Sequence, residues 1–277
     1  MNWLIADKII KNALNEDISY GDITTESIIK NYKKAKVDLI AKEDGIICGL
    51  EVFKRVFTIL QNAEVEFFVE DGDSVFKGKK IGQISGDVRI LLTGERVALN
   101  FLQRMSGIAT LTRKFATELE NTKIKLLDTR KTTPNLRIFE KYAVTIGGGC
   151  NHRFGLNDGV LIKDNHIAAA GNIKNAVNMV RLNAPFVRKI EVEVENLDQL
   201  VEALEAKVDI VMLDNMDIPS MESAIKIING KAEIEVSGNV DLKSIKNLSK
   251  LNINYISTGT LTHSFKVLDL SMKNLTY

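Results

Sequence analysis

Apolar positions along this chain change period several times, and each change predicts an element. The opening stretch WLIADKIIKNALNED has helical apolar spacing and predicts a helix near residues 3–14. A turn-rich segment, EDISYGDITTES, follows. AKVDLIAKEDGIICG reads as two strands around the hairpin signal Asp44-Gly45. LEVFKRVFTILQ returns to helical spacing, and EVEFFVEDGDSV and KIGQISG read as short strands separated by turns. From Val88 to Glu120 the pattern is helical, with an apolar face of Val88, Leu91, Leu92, Leu99, Leu102 and Met105. Gly107 is expected to break it into two helices that connect two parts of the chain.

Beyond about residue 123 one theme repeats. A short apolar strand ends on a polar residue or glycine, and a helical stretch usually follows. The strands are KIKLLDTR, GVLIKDN, KIEVEVE, DIVMLDN, AEIEVSG and NYISTG, with a further strand suggested near AVTIG. The helices are NIKNAVNMVRL, LDQLVEALEA, IPSMESAIKIIN and VDLKSIKNLSK. Alternation of this kind predicts a parallel sheet, because parallel strands need crossover connections. A closed or nearly closed β/α barrel is the leading architecture, and a doubly wound open sheet is the rival. In a barrel, Asp128, Arg130, Lys131, Lys163, Asp164, Glu193, Asp214, Ser237 and Ser257 would point to one mouth, where strand ends converge.

Composition narrows the function classes. Hydrophobic residues make up 45% and charged residues 26%, the mixture of a globular protein with a sizeable core. The net charge is +1, from 37 basic and 36 acidic side chains, which argues against a general nucleic-acid binder. No apolar run approaches the length of a membrane span, and the amphipathic N-terminus is unlike a signal peptide. Cys48 and Cys150 stand in no metal-ligand spacing, so idle thiols and a reducing cytoplasm fit.

The candidate chemistry is cationic. Arg130 and Lys131 follow a strand end, His152 and Arg153 follow the triple glycine Gly147–Gly149, and Lys163 follows GVLI. Singly these residues read as a solvated loop, a core histidine, a tight turn and a snorkelling lysine. Together they suggest one cavity for a polyanion, since concentrated positive charge is unfavourable without anions to offset it. Guanidinium groups match carboxylates in bidentate geometry. Glu191, Glu193 and Glu195 share one strand face, either exposed or turned inward by a barrel. Glu193 and Asp214, near the ends of successive strands, could share a magnesium ion. Ser237-Gly238-Asn239 and Ser257-Thr258-Gly259-Thr260 suit phosphate, because glycine lets backbone N–H groups approach an anion. His166 and His263 have no partners at zinc-like spacing.

The blocks TRKTTPNLR, GGGCNHRFGLNDGVLIKDNH, EVEVE, VMLDN, EVSGN and ISTGTLTHS occur in an order that resembles the quinolinate phosphoribosyltransferase family. EDISYGDITT and GERVALNFLQRMSGIAT are similar to its N-terminal half, so the resemblance covers nearly the whole chain. It implies an N-terminal α/β sandwich domain over residues 1–110 and a C-terminal open α/β barrel over 111–264, with 265–277 returning to the first. It also implies a homodimer with shared sites. By motif, Arg130, His152 and Arg153 would contact quinolinate carboxylates, with Lys131 and Lys163 at the same anionic centre. Arg96 would come from the partner subunit. Glu193 and Asp214 would be the Mg2+-side acids, and Ser237, Gly238, Asn239 and Gly259 the phosphate cradle. The implied reaction joins quinolinate to phosphoribosyl pyrophosphate and releases carbon dioxide, giving nicotinate mononucleotide for NAD biosynthesis.

Three rivals share parts of the evidence. One is a paralogue on the same scaffold with another anionic substrate, since fold does not fix function. Another is a Schiff-base lyase using Lys163. The third is a carrier module, because VEDGDSVFKGKKIGQISG resembles the turn pattern of biotinyl and lipoyl domains.

Overall fold

The structure is a computed structural model and describes residues 1–277. In chain order it begins with α1 (Trp3–Ile18), α2 (Ile23–Ile28), β1 (Lys34–Ala41), β2 (Gly45–Ile46), α3 (Leu50–Leu60), β3 (Ala63–Phe67), β4 (Ser74–Val75), β5 (Lys80–Asp87) and α4 (Val88–Thr117). Next are β6 (Lys125–Leu127), α5 (Arg137–Ile146), β7 (Val160–Ile162), α6 (Asp164–Ala170), α7 (Ile173–Asn183), β8 (Ile190–Val194) and α8 (Leu197–Glu205). The chain ends with β9 (Ile210–Asp214), α9 (Ile218–Ile228), β10 (Glu233–Ser237), α10 (Ile245–Leu248), β11 (Tyr255–Ser257), α11 (Thr260–His263) and β12 (Leu270–Thr276).

Two compact units result. The first comprises Met1–Arg113, Thr132–Gly148 and Leu261–Tyr277, and the second Lys114–Lys131 and Gly149–Thr260. The second unit is therefore interrupted, where the sequence suggested an unbroken stretch from 111 to 264.

In the first unit, β12, β1, β5 and β3 form an antiparallel sheet in that order. Ala35, Val37, Leu39 and Ala41 of β1 are buried at alternate positions, as the period of a strand requires. Leu50, Val52, Phe53, Val56 and Phe57 give α3 its buried face. Each large apolar side chain so buried contributes roughly 1.5–3 kcal/mol. Arg55 on α3 holds Asp7 on α1 through two hydrogen bonds of 2.8 and 2.5 Å.

Four expectations are corrected here. Asp44-Gly45 does not close a hairpin: β1 pairs with β5 and β12, while β2 pairs with β4. Gly107 does not break its helix, because α4 runs uninterrupted for 30 residues. The glycine instead clears space, since a Cβ there would collide with the backbone carbonyl of Lys266. Leu92 is exposed and lies off the buried face of α4. AVTIG belongs to α5, whose buried Phe139, Ala143 and Val144 recur at helical spacing.

In the second unit, six parallel strands lie in the order β6-β11-β10-β9-β8-β7. Neighbours follow chain order from β7 to β11 with no reversal, which excludes the doubly wound rival. β6 and β7 end the sheet and do not pair, so this is an open α/β barrel. The segment VDLKSIKNLSK yields only the one-turn α10.

Candidate active site

The C-terminal strand ends of the second unit surround a cavity of about 470 Å³. Its walls include Arg130, Lys131, His152, Arg153, Lys163, Glu193, Asp214, Ser237, Gly238 and Asn239, together with Ser257. Ten of the twelve candidate residues are thus brought together. Gly259 is buried beyond β11 and is not on this wall, and Arg96 is exposed on α4 in the first unit. Asp128 and Asp164 do not line the cavity either. Asp128 is fully buried, and Asp164 is exposed at the start of α6.

The Asn-His-Arg segment enters through local backbone pairing. Cys150 N–H donates to Leu126 O at 2.8 Å and Asp128 N–H donates to Cys150 O at 3.1 Å, so this stretch runs beside β6. Asp128 then accepts the His152 backbone N–H at 2.8 Å. The glycines act before this point. Gly147 packs where a Cβ would meet Thr112 and the Ala109 carbonyl, and Gly148 takes φ +98°.

The Arg153 guanidinium donates to Gly159 O at 3.1 Å. Burial and then the neighbouring Arg130 push its pKa below the ordinary arginine value. Two cations facing one space make that space suited to an anion. Lys163 caps α6 and donates from Nζ to Glu193 Oε2. Its side chain is 42% exposed and ion-paired, unlike the desolvated amine that Schiff-base chemistry needs.

Asp214 ends β9 beside Ser237 of β10 and accepts from Asn215 Nδ2 at 2.7 Å. Asn215, Gly238 and Asn239 take φ of 51°, 98° and 44°, all in the left-handed region. A Cβ on Gly238 would collide with Asn215 Oδ1, so only glycine fits there. The two loops are held together by Asn215 N–H to Ser237 O at 3.1 Å and Asn239 Nδ2 to Asn215 Oδ1 at 3.3 Å.

The glutamates of IEVEVE divide by depth. Glu191 is buried, Glu193 is half-buried on the cavity wall, and Glu195 is exposed beyond β8. Below the mouth, His152 Nε2 lies 3.1 Å from Glu191 Oε2 and 3.6 Å from Glu235 Oε2. Sequence reasoning did not single out Glu235. Its available signal was period two, because it precedes Ser237 by two residues and so shares its face of β10.

A second cavity of about 820 Å³ shares Arg130, Arg153 and Lys163 with the first. Leu156 and Met179 lie on its walls, and both are well exposed.

Comparison with known proteins places this geometry in a family. The C-terminal domain of quinolinate phosphoribosyl transferase matches residues 108–273, and its N-terminal domain matches residues 22–106. A probable carboxylating nicotinate-nucleotide pyrophosphorylase from Bacillus subtilis is 44% identical over 98% of this chain and 94% of its own. The crystal structure of NadC from Streptococcus pyogenes is 50% identical, with a TM-score of 0.96 over 100% of this chain and 98% of that one. The nicotinate-nucleotide pyrophosphorylase of Francisella tularensis is 40% identical, with a TM-score of 0.94 over 100% of this chain and 98% of its own. With both domains matched and whole-length relatives well above 30% identity, this chain belongs to the quinolinate phosphoribosyltransferase family.

Proposed function

We propose that this chain transfers phosphoribosyl from phosphoribosyl pyrophosphate to quinolinate with decarboxylation, releasing nicotinate mononucleotide, carbon dioxide and pyrophosphate. The observation that carries this reading is the convergence of Arg130, Lys131, Arg153 and Lys163 on one cavity opposite Glu193 and Asp214. Fixed cations suit a dicarboxylate, and positioning two anions together is the main task of such a site. Arg130 and Arg153 would orient the carboxylates, with Lys131 and Lys163 beside them and His152 at the inner edge. Ser237, Gly238 and Asn239 would cradle the 5-phosphate through backbone N–H groups, and Gly259, which is off this wall, is left out of the cradle.

Glu193 and Asp214 fit Mg2+: both offer hard carboxylate oxygens to the same cavity from neighbouring strands. Bound there with the diphosphate, the ion would offset charge on the leaving pyrophosphate. Lys163 already holds Glu193, so charge on the acid is partly balanced before any ligand arrives.

We further infer a homodimer in which Arg96 serves the neighbouring site. Supporting this, Leu182, Phe186 and Val187 are 84%, 96% and 69% exposed near the larger cavity. An apolar surface of this kind commonly marks an interface. On this reading the protein acts in the cytoplasm. No helix is long and apolar enough to cross a membrane.

The test is to incubate the protein with quinolinate, phosphoribosyl pyrophosphate and Mg2+ and to measure nicotinate mononucleotide and carbon dioxide. Stoichiometric release of both is expected, with nicotinate a poor substrate. Activity on another anion but none on quinolinate would favour the paralogue reading.

A further inference from the structure

Three helices of the second unit begin on a side chain that accepts a hydrogen bond. Asn172, Asn196 and Asp217 cap α7, α8 and α9, taking the backbone N–H of Asn175, Gln199 and Ser220 at 2.7, 2.9 and 2.9 Å. Helix starts favour these residue types, because their short side chains satisfy a donor that the helix leaves open. The helix α6 departs from this rule. Its N-cap is Lys163, whose ammonium can only donate and makes no capping hydrogen bond.

His166 supplies the missing bond from the other direction. Its Nδ1 accepts the Lys163 backbone N–H at 3.0 Å, and its own backbone N–H donates to the Lys163 carbonyl at 2.8 Å. One residue thus holds both polar groups of the lysine's backbone. An acceptor at the third helical position, reaching back to the N-cap, is half of a capping box, where glutamate or glutamine is usual.

The core contributes little to fixing how α6 leaves β7, since the helix buries none of its residues. What the two hydrogen bonds fix is the backbone from which Lys163 sends Nζ to Glu193. His166 itself stands on the wall of the larger cavity and not on that of the smaller one, where Lys163, Glu193 and the arginines meet. A lysine at a helix start, compensated by a histidine one turn on, is the kind of local compromise expected at a functional site.

We propose that His166 is a positioning residue for Lys163. By capping α6 in place of the lysine, it sets the Lys163 backbone so that the ammonium reaches the acid of the next strand and, on the quinolinate reading above, the substrate carboxylate. The proposal rests on that reading and assigns His166 no contact with substrate.

His166→Ala should lower kcat/KM for quinolinate about fivefold or more, mainly as raised KM. His166→Gln restores an acceptor at the same helical position, so it should stay within about twofold of wild type. In a Lys163→Met chain, adding His166→Ala should lower activity by less than about twofold, because the group it positions is gone. Equal losses in the Ala and Gln variants would overturn the capping role, and a full loss on top of Lys163→Met would overturn action through the lysine. Amide exchange of Lys163, followed by nitrogen-15 NMR in the free protein, tests the contact without any substrate. Exchange should be slow in wild type and the Gln variant, and about tenfold faster in the Ala variant. Fast exchange in wild type would reject the proposal even if the Ala variant failed to fold. If wild-type protein does not use quinolinate, the functional reading fails, while the exchange result still decides the cap.

Discussion

Lys163 and Glu193, at the C-terminal ends of the adjacent strands β7 and β8, form an ion pair across the mouth of the barrel. The lysine is paired with an acid, so on the proposed reading an arriving carboxylate would have to share or replace that partner. Lys163→Met should lower kcat/KM for quinolinate by about tenfold or more, the cost of one charge-assisted contact. Steady-state kinetics measures this. Borohydride added with quinolinate should trap no adduct, and a trapped Lys163 adduct would restore the lyase reading.

Arg130 and Arg153 face the same cavity, and a bound dicarboxylate, as proposed, would relieve their mutual repulsion. Either residue changed to Ala should reduce quinolinate use about tenfold or more, since contacts to charged groups contribute roughly 1.5–3 kcal/mol. Circular dichroism should show an unchanged fold. Wild-type specificity constants in both variants would remove these arginines from the pocket.

The two acids at the mouth should act on the other substrate. Glu193→Gln combined with Asp214→Asn should weaken Mg2+-dependent binding of phosphoribosyl pyrophosphate by about tenfold or more, with a smaller effect on quinolinate. Calorimetry with each ligand alone makes the comparison. Selective loss of quinolinate binding would reverse the assignment.

A mixed dimer tests the place of Arg96. Arg96→Ala and Lys163→Ala subunits, each strongly impaired alone, should regain activity when exchanged. In each mixed dimer one site lacks both groups and the other keeps both, and random exchange makes about half the dimers mixed, so about a quarter of wild-type activity should return. Verified exchange with no recovery would place Arg96 within its own chain's site.

Stability has a separate handle at Asp22. Its side chain caps α2 by accepting the Thr25 N–H at 3.0 Å and also accepts the Thr93 hydroxyl at 3.1 Å. Hydrogen bonds from Thr25, first its hydroxyl and then its backbone, hold the carboxyl below the usual range. Asp22→Ala should cost about 1–2 kcal/mol at neutral pH. A lowered folded pKa means this stabilisation is present above the unfolded value and fades as pH falls through the folded one. Denaturant melts should therefore show the gap between wild type and variant narrowing below about pH 4. A gap independent of pH would mean that the cap does not act through its charge.

Much of the second unit was legible because each strand is a short apolar run ending on a polar residue, a signal that local sequence carries. Lys163, Asp214 and Ser237 could be placed at the mouth for that reason. What local sequence did not carry was packing at a distance. Gly107 looks like a helix breaker until the chain near Lys266 is seen against it. The β-branched residues of AVTIG resemble a strand until the burial of Phe139 and Ala143 fixes the helical period. Asp44-Gly45 has hairpin chemistry, but the partners of β1 lie in β5 and β12. Glu235 was missed because an isolated acid in an alternating strand usually faces water, and only the approach of His152 distinguishes it.

The left-handed trio Asn215, Gly238 and Asn239 has a further consequence. These loops hold uncommon backbone angles and are tied to each other by their own hydrogen bonds. Little conformational entropy would be left to lose if a phosphate is bound there as proposed. On the proposed reading, affinity for that end of the substrate would be set while the chain folds, and the binding step would be left to assemble charge around a surface that is already shaped.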